Sequence, residues 1–411
     1  MEAYLLDWAN LLLRWAHVIT AIAWIGSSFY FVFLDNSLTR PTAPDLVDKG
    51  VDGELWAVHG GGFYHPQKYL VAPKSLPQHL HWFFWESYST WLTGFALFTV
   101  LYLFNAGTFL VDRNVHDWPA GAAVAAALGF LVVFWLAYDA VCRWFGRGPR
   151  GDAVVGGLIV AIVAVASWLA CQLFAGRAAF LLIGAMMATA MSANVFFWII
   201  PGQRKVVAQL RAGEQPDPIH GQRAKQRSVH NTYFTLPVLV AMLSNHYGFL
   251  YSGPRNWLVL LVLMVAGALI RHFFVARHKA KVLGKPAPWG PAAVGMVMLA
   301  GLVAALAPRV PEEAGAVPAG PVTLQQVHAV VEQRCVVCHN AQVSNKNVQL
   351  HTDALIEQHR QQILQQAVIA RTMPLNNATG ITEAERELLR RWADAAAHAP
   401  SLPSAASPSG S

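Results

Sequence analysis

Residues 153–200 read AVVGGLIVAIVAVASWLACQLFAGRAAFLLIGAMMATAMSANVFFWII, with Arg177 as the only charged side chain. Each half is long enough for a membrane crossing, which takes roughly 20 apolar residues as a helix. Gly176 and Arg177 leave room for a very tight turn only. The two halves are therefore expected to form an antiparallel pair of membrane helices.

Working outward, six further apolar segments have the same character. The full set is approximately 8–34, 79–104, 118–141, 153–175, 178–200, 229–250, 256–276 and 290–308. The 411-residue chain is 55% hydrophobic and only 13% charged, against about 25% charged in soluble domains. The sequence thus predicts an all-α protein. An eight-helix transmembrane bundle (1–308) is followed by a linker (309–321, RVPEEAGAVPAGP), a small soluble helical domain (322–400) and a disordered tail (401–411).

Net charge is +7, but the cations lie in short loops rather than in one patch, so nucleic acid is not expected as a partner. Loops 35–78, 142–152, 201–228 and 277–289 carry 4, 3, 6 and 4 Lys and Arg. The N-terminal tail and the other three connections carry 0, 1, 1 and 1. By the positive-inside rule the basic loops face the cytoplasm. The N-terminus and everything after residue 308 then lie on the periplasmic side of a bacterial inner membrane. Glu2, Asp7 and the lack of a basic start argue against a cleaved signal peptide. Cys142 and Cys171 lie in apolar helices and read as buried spacers.

The other two cysteines stand in RCVVCHN, residues 334–340. A Cys-x-x-Cys-His run is the signature of c-type haem attachment. Cys335 and Cys338 would form the thioethers and His339 would bind iron. A zinc half-site would need further ligands, and only His351, His359 and His398 follow. Met373, in ARTMPL, is the only methionine of the tail. Pro374 keeps it out of a helix, which suits a sixth iron ligand and a raised haem potential. Leu324, Val327, Val330 and Val331 recur at helical spacing behind a Thr323 cap. Thr382 and Glu385 form a capping box for a last helix whose Trp392 is expected near the haem. The tail thus reads as a small class I cytochrome c with covalent haem c.

The membrane part shows no dinucleotide fingerprint and no P-loop, and HGGG at 59–62 lacks a partner G-x-S-x-G. Its unusual content is ionisable side chains within the spans, which are costly in lipid. These are Arg14, His17, His79, His81, Glu86, Asp139, His230, His246, Arg271 and His272, with Asn231 and Asn245 beside them. His81, His230 and His272 fall toward the cytoplasm, His17 near mid-membrane and His246 toward the periplasm. His230 and His246 are ~24 Å apart at 1.5 Å per residue, and electrons need relays across ~30 Å of hydrocarbon. Non-covalent haem b is therefore expected in the membrane domain, with His17, His230 and His246 as candidate ligands.

Three stretches, ELWAVHGGGFYHPQKYLVAP, LPQHLHWFFWESYSTWLTG and SVHNTYFTLPVLVAMLSNHY, with the tail, resemble the bacterial membrane-bound urate oxidases (urate hydroxylases). The resemblance covers nearly the whole chain. It implies oxidation of urate to 5-hydroxyisourate in purine breakdown, with electrons going to the fused cytochrome instead of dioxygen. A downstream cytochrome c or terminal oxidase would accept them. The family brings no assigned urate ligands, so the site is argued from chemistry. Urate is a planar monoanion that needs cations, aromatic faces and a base. Loop 56–69 offers Trp56, Tyr64, His59, His65 and Lys68, with glycines that let backbone N–H groups approach an anion. Glu86, His81, His230 and Asn231 are expected at the same depth, and His59, Lys68, His81 and Glu86 are the catalytic candidates. The alternatives are a quinol or other small-molecule dehydrogenase on the same scaffold, or a non-catalytic electron-transfer subunit of a respiratory complex.

Overall fold

The computed structural model describes every residue except 1, 71, 114, 148–149, 308–319, 342–347, 378 and 398–411. Most of the expected linker and all of the expected disordered tail lie outside the described residues, as does His398. The chain is mostly helical, and a helix lies over each of the eight apolar segments. The first is α1 (Glu2–Ser37), followed by a short α2 (Pro44–Lys49). Then come α3 (Trp85–Phe98), which runs into a π-helical turn at Thr99–Leu103, and the single turn α4 (Ala106–Phe109). The long helices α5 (Ala120–Phe145), α6 (Gly151–Leu173) and α7 (Gly176–Asn194) follow, and a second π-helical turn, Val195–Ile199, joins α7 to α8 (Ile200–Arg211). Next are α9 (Pro218–Leu243), α10 (Asn256–Val282) and α11 (Trp289–Ala305). Among the described residues five helices are long and apolar enough to cross a membrane: α1, α5, α6, the continuous α7–α8 and α10. Helix α11 is apolar but shorter.

The side chains are arranged for lipid. Outward faces carry large apolar residues such as Trp15, Val133, Leu136, Val165, Val297 and Val303. The interior is built from small ones, with Ala123, Ala127, Ala178, Ala179, Ala190, Ala241 and Ala266 all fully buried. Small residues let helix backbones approach where no water drives association. At Gly184 on α7, a Cβ would sit 2.9 Å from the Ala241 Cβ on α9. Only Phe174 and Ala175 separate α6 from α7, so the opening pair is antiparallel, with its link two residues earlier than the sequence implies.

Three expectations are corrected. Segment 201–228 is a helical hairpin rather than a loop, with α8 and α9 turned at 212–217. Gly213 takes a positive φ of 74° there, and Asp217 caps α9 by accepting from the Ile219 N–H at 2.9 Å. The π-turn before Pro201 widens the helix where proline supplies no N–H. Second, span two begins at Trp85, not 79, so His79 and His81 stand outside the helix. Pro77 disfavours helix in its neighbour, and the segment is pinned by rings: His81 is edge-on to Phe83 at 4.6 Å, and Phe83 to Phe31 of α1 at 4.9 Å. Third, the chain is not purely α. Short strands β1 (Gly53–Glu54), β2 (Ala57–His59), β3 (Gly62–Tyr64) and β4 (Gln67–Lys68) form two antiparallel pairs, β1 with β4 and β2 with β3. Gly60 and Gly61, at φ 57° and 81°, make the hairpin turn that only such residues adopt readily.

After residue 320 the chain folds about its own apolar cluster of Val327, Val331, Ile356, Leu389 and Trp392. Its helices are α12 (Leu324–Arg334), α13 (Asp353–Gln358), α14 (Arg360–Ile363) with a π-turn at Leu364–Ile369, and α15 (Glu383–Ala397). Thr323 and Gln326 cap α12 reciprocally. At α15 the Thr382 hydroxyl accepts from the Glu385 N–H at 3.2 Å, and Glu385 accepts from the Thr382 N–H at 2.7 Å. Trp392 is buried under the Arg360 guanidinium, 4.2 Å from its ring. It lies in this core and does not line the cavity described below.

Burial raises the Glu385 carboxyl, but hydrogen bonds from Thr382 and from Arg334, 3.0 Å away, win and hold it below the usual range. A depressed carboxyl stabilises fully above its unfolded value, about 4.3, and loses that contribution as pH falls through the lower folded value. Thr382→Ala is expected to cost about 1 kcal/mol, and Glu385→Gln to flatten the acid dependence. Hydrogen exchange of residues 383–397 in the full chain between pH 3 and 6 measures both.

Candidate functional site

The membrane helices and the tail meet over one large cavity of about 2070 Å³. Single small-molecule pockets run to roughly 300–1000 Å³, so this one has room for more than one large planar group. From the tail it is lined by Cys335, Cys338, His339 and Met373. From the helices it is lined by His17 of α1, Gly94 of α3, and His246 just beyond α9. The tail is seated on the 244–250 turn, where Gly248 lies against the Ala370 carbonyl and Thr372.

The tail end fits a c-type haem. His339 Nδ1 is 3.0 Å from the Val348 carbonyl. That bond fixes the ring and leaves Nε2 for iron, as ligating histidines require. Met373 is held in a non-helical segment by its own N–H to Gln366 O at 3.0 Å and by buried Arg386, which donates to its carbonyl at 3.2 Å. Both cysteines are free thiols, and burial pushes Cys335 up to about 11. Among the described residues no three His, Cys, Asp or Glu side chains gather as a bare-metal site.

The helix end repeats the logic. His17 Nδ1 lies 3.1 Å from the Thr90 carbonyl and 3.2 Å from the Thr93 hydroxyl, both on α3, again leaving Nε2 free. A Cβ on Gly94 would fall 2.7 Å from the His17 ring, so only glycine admits the imidazole there. Arg14 and Arg177 line the same cavity as cations that suit haem propionates. His17 and His246 thus share a cavity with the tail motif.

His230 does not. It lines a second cavity of about 1070 Å³ with Arg143, Arg147, Arg223, Lys225 and Arg227. Its Nδ1 is 2.8 Å from the Tyr138 hydroxyl. Asn194 donates to that hydroxyl at 2.9 Å and to Asn231 Oδ1 at 2.9 Å. Asn231 donates to the Met191 carbonyl at 3.0 Å, and Met191 lines the first cavity. A chain of hydrogen-bonded side chains therefore runs from His230 in the second cavity to a residue that lines the first. Arg227, only 3% exposed, pairs with Asp139 at 2.7 Å. Tyr138, Asn194 and Arg227 escaped the sequence reading because each looks ordinary alone. Their signal is three polar positions at one depth on α5, α7 and α9, visible only once those helices are paired.

The expected catalytic residues are more scattered. His59 is exposed at the end of β2 beside the hairpin turn. His81 is exposed, and Lys68 pairs with Asp35. Glu86 is half-buried at the start of α3, and its Oε2 has no hydrogen-bond partner among the described residues. None of the four lines either cavity. Burial, and next the Lys225 ammonium, hold Lys68 below the usual lysine range. Trp56 stacks on His65 at 4.1 Å, and His65 binds Glu54 at 2.6 Å, so those rings brace the loop.

Fold and site define a helical protein with apolar, membrane-type helices and a large open cavity lined by histidines. The model of one family, described as urate oxidase N-terminal, matches residues 3–307, and the chain belongs to that family. Membership relates it to oxidoreductases and to urate oxidation. No curated protein and no solved structure matches the chain.

Proposed function

We propose that the chain oxidises urate to 5-hydroxyisourate in a bacterial inner membrane and delivers the electrons to a c-type haem on its tail. The observation that carries this is the single cavity joining His17 and His246 to Cys335, Cys338, His339 and Met373, in a chain of the urate oxidase family. The helices of residues 1–308 form the oxidising membrane domain, an eight-helix bundle, and 322–400 the periplasmic cytochrome domain. The reaction balances as urate plus water giving 5-hydroxyisourate, two electrons and two protons, so no dioxygen is consumed and no peroxide is formed.

Cys335 and Cys338 would hold the haem covalently, with His339 and Met373 on iron; once bound, the group supplies a one-electron acceptor of raised potential. His17 and His246, which line the same cavity, would hold a second, non-covalent haem b, which would let a two-electron donor meet one-electron acceptors. His230, which lines the other cavity, is assigned in this reading to that cavity instead of to the ligand set. Glu86, with a free carboxylate oxygen, serves as a proton acceptor near the cytoplasmic face, and the loop bearing His59 and Lys68, with His81, forms the rim through which the anion enters. A cytochrome c or terminal oxidase would then reoxidise the tail. Urate added anaerobically to the oxidised full chain tests the proposal: reduction of the tail haem supports it, and no reduction contradicts it.

A further inference from the structure

The second cavity carries far more positive charge than its own carboxylates balance. Five cations line it: Arg143, Arg147, Arg223, Lys225 and Arg227. Two carboxylates answer them. Asp139 is engaged by Arg227 at 2.7 Å and Arg143 at 2.6 Å, and Asp152 accepts from Gln226 at 2.9 Å. Among the described residues no carboxylate forms an ion pair with Arg147, Arg223 or Lys225. Three guanidinium groups crowd one indole, with Arg143 and Arg227 each 5.0 Å and Arg223 5.7 Å from the Trp198 ring. Like charges this close repel, with Arg227 buried and Arg143, Arg147 and Lys225 exposed at the mouth, and a bound anion relieves that repulsion.

The neutral groups narrow the anion's chemistry. Asn194 donates to the Tyr138 oxygen, which leaves the phenol proton for His230 Nδ1 at 2.8 Å. A neutral His230 then carries its proton on Nε2, a donor for a carbonyl or ring nitrogen. Tyr233 and Phe234 add aromatic faces to the wall. A simple phosphate needs neither the aromatic wall nor the oriented imidazole. A planar, carbonyl-rich heteroaromatic anion uses both, together with the guanidinium forks that match paired oxygens.

We infer that this basic cavity is the binding site for the purine anion, with Arg223 and Arg147 as its charge partners and His230 as its oriented hydrogen-bond donor. The inference rests on the urate reading above and goes beyond it by moving the substrate from the 56–69 loop to the cavity between α5, α6 and α9. Bound there, the ring is linked to the His17 cavity through the Tyr138–Asn194–Asn231 hydrogen bonds, which end on Met191.

Equilibrium dialysis of urate against the full chain, kept reduced with dithionite so that no turnover occurs, tests the site. Arg223→Gln is expected to weaken binding about tenfold or more, as loss of a charged hydrogen bond does. Arg223→Lys should recover part of the loss, and Arg204→Gln, on α8 outside the cavity, should bind as the unaltered chain does. The dithionite-reduced haem spectrum of each variant reports folding. If the unaltered chain binds urate and Arg223→Gln and Arg147→Gln bind it equally well, the cavity assignment is wrong and the urate reading stands. If phosphatidylglycerol micelles bind the cavity and urate does not displace them, the cations serve a lipid headgroup and the assignment is likewise overturned. If the unaltered chain neither binds urate nor is reduced by it, both fail together.

Discussion

Replacing Cys335 and Cys338 together by alanine yields a chain that carries no covalent haem and transfers no electrons from urate to an added periplasmic acceptor. The two thiols line the cavity that His339 and Met373 also face, and nothing else in the tail can form a thioether. Cys142 and Cys171 are buried among the membrane helices. Cys335 packs against the edge of the apolar cluster of Val327, Val331, Ile356 and Leu389, where alanine keeps the Cβ, and the reciprocal caps at Thr323 and Thr382 remain. The tail should therefore keep its helices while losing its haem. Haem-stained denaturing gels read the covalent bond, and reduction of added ferricytochrome by urate reads the function. A variant that still stains, or still passes electrons, contradicts the role given to the motif.

His17→Ala removes the b-type absorption band and leaves the c-type band intact. The argument is positional. The imidazole is held by the Thr90 carbonyl and the Thr93 hydroxyl at 3.1 and 3.2 Å, with its other nitrogen free and the cavity beside it. Gly94→Ala gives an independent check without touching a ligand. Its new methyl group would press on the His17 ring from 2.7 Å and must turn it. The same band should shift or vanish in Gly94→Ala, while His230→Gln keeps it, because His230 faces the other cavity. Pyridine haemochrome spectra separate the two haem types. Loss of the b band in His230→Gln with retention in His17→Ala would reverse the assignment.

Much of this was written plainly in the residues. Long apolar runs announce their helices because lipid leaves the backbone no other partner. Cys335-Val336-Val337-Cys338-His339 carries the expectation of haem through spacing alone, and the structure places those side chains on one cavity. The Thr382/Glu385 box is local and was legible for that reason. What escaped the sequence depends on contacts between distant helices. Nothing near Gly94 in the chain says that it opposes His17, 77 positions earlier. The Tyr138–Asn194–Asn231 layer is assembled from three helices. Segment 201–228 looked like a loop because its charge hides a helical period, yet a charged helix end can stand in water beyond the membrane. His81 was placed in a span by hydropathy, which counts aromatic rings as apolar without seeing that they pin an irregular segment to α1.

The central claim is that electrons leave urate within the helices and arrive on the tail of the same chain. Stopped-flow mixing of the oxidised full chain with urate, without oxygen or any other protein, measures it directly at the c-type α-band. The account predicts that the band appears with urate alone, that two reducing equivalents are delivered per urate consumed, and that no peroxide forms when oxygen is readmitted. A band that stays flat with urate, yet rises fully with dithionite, would contradict it.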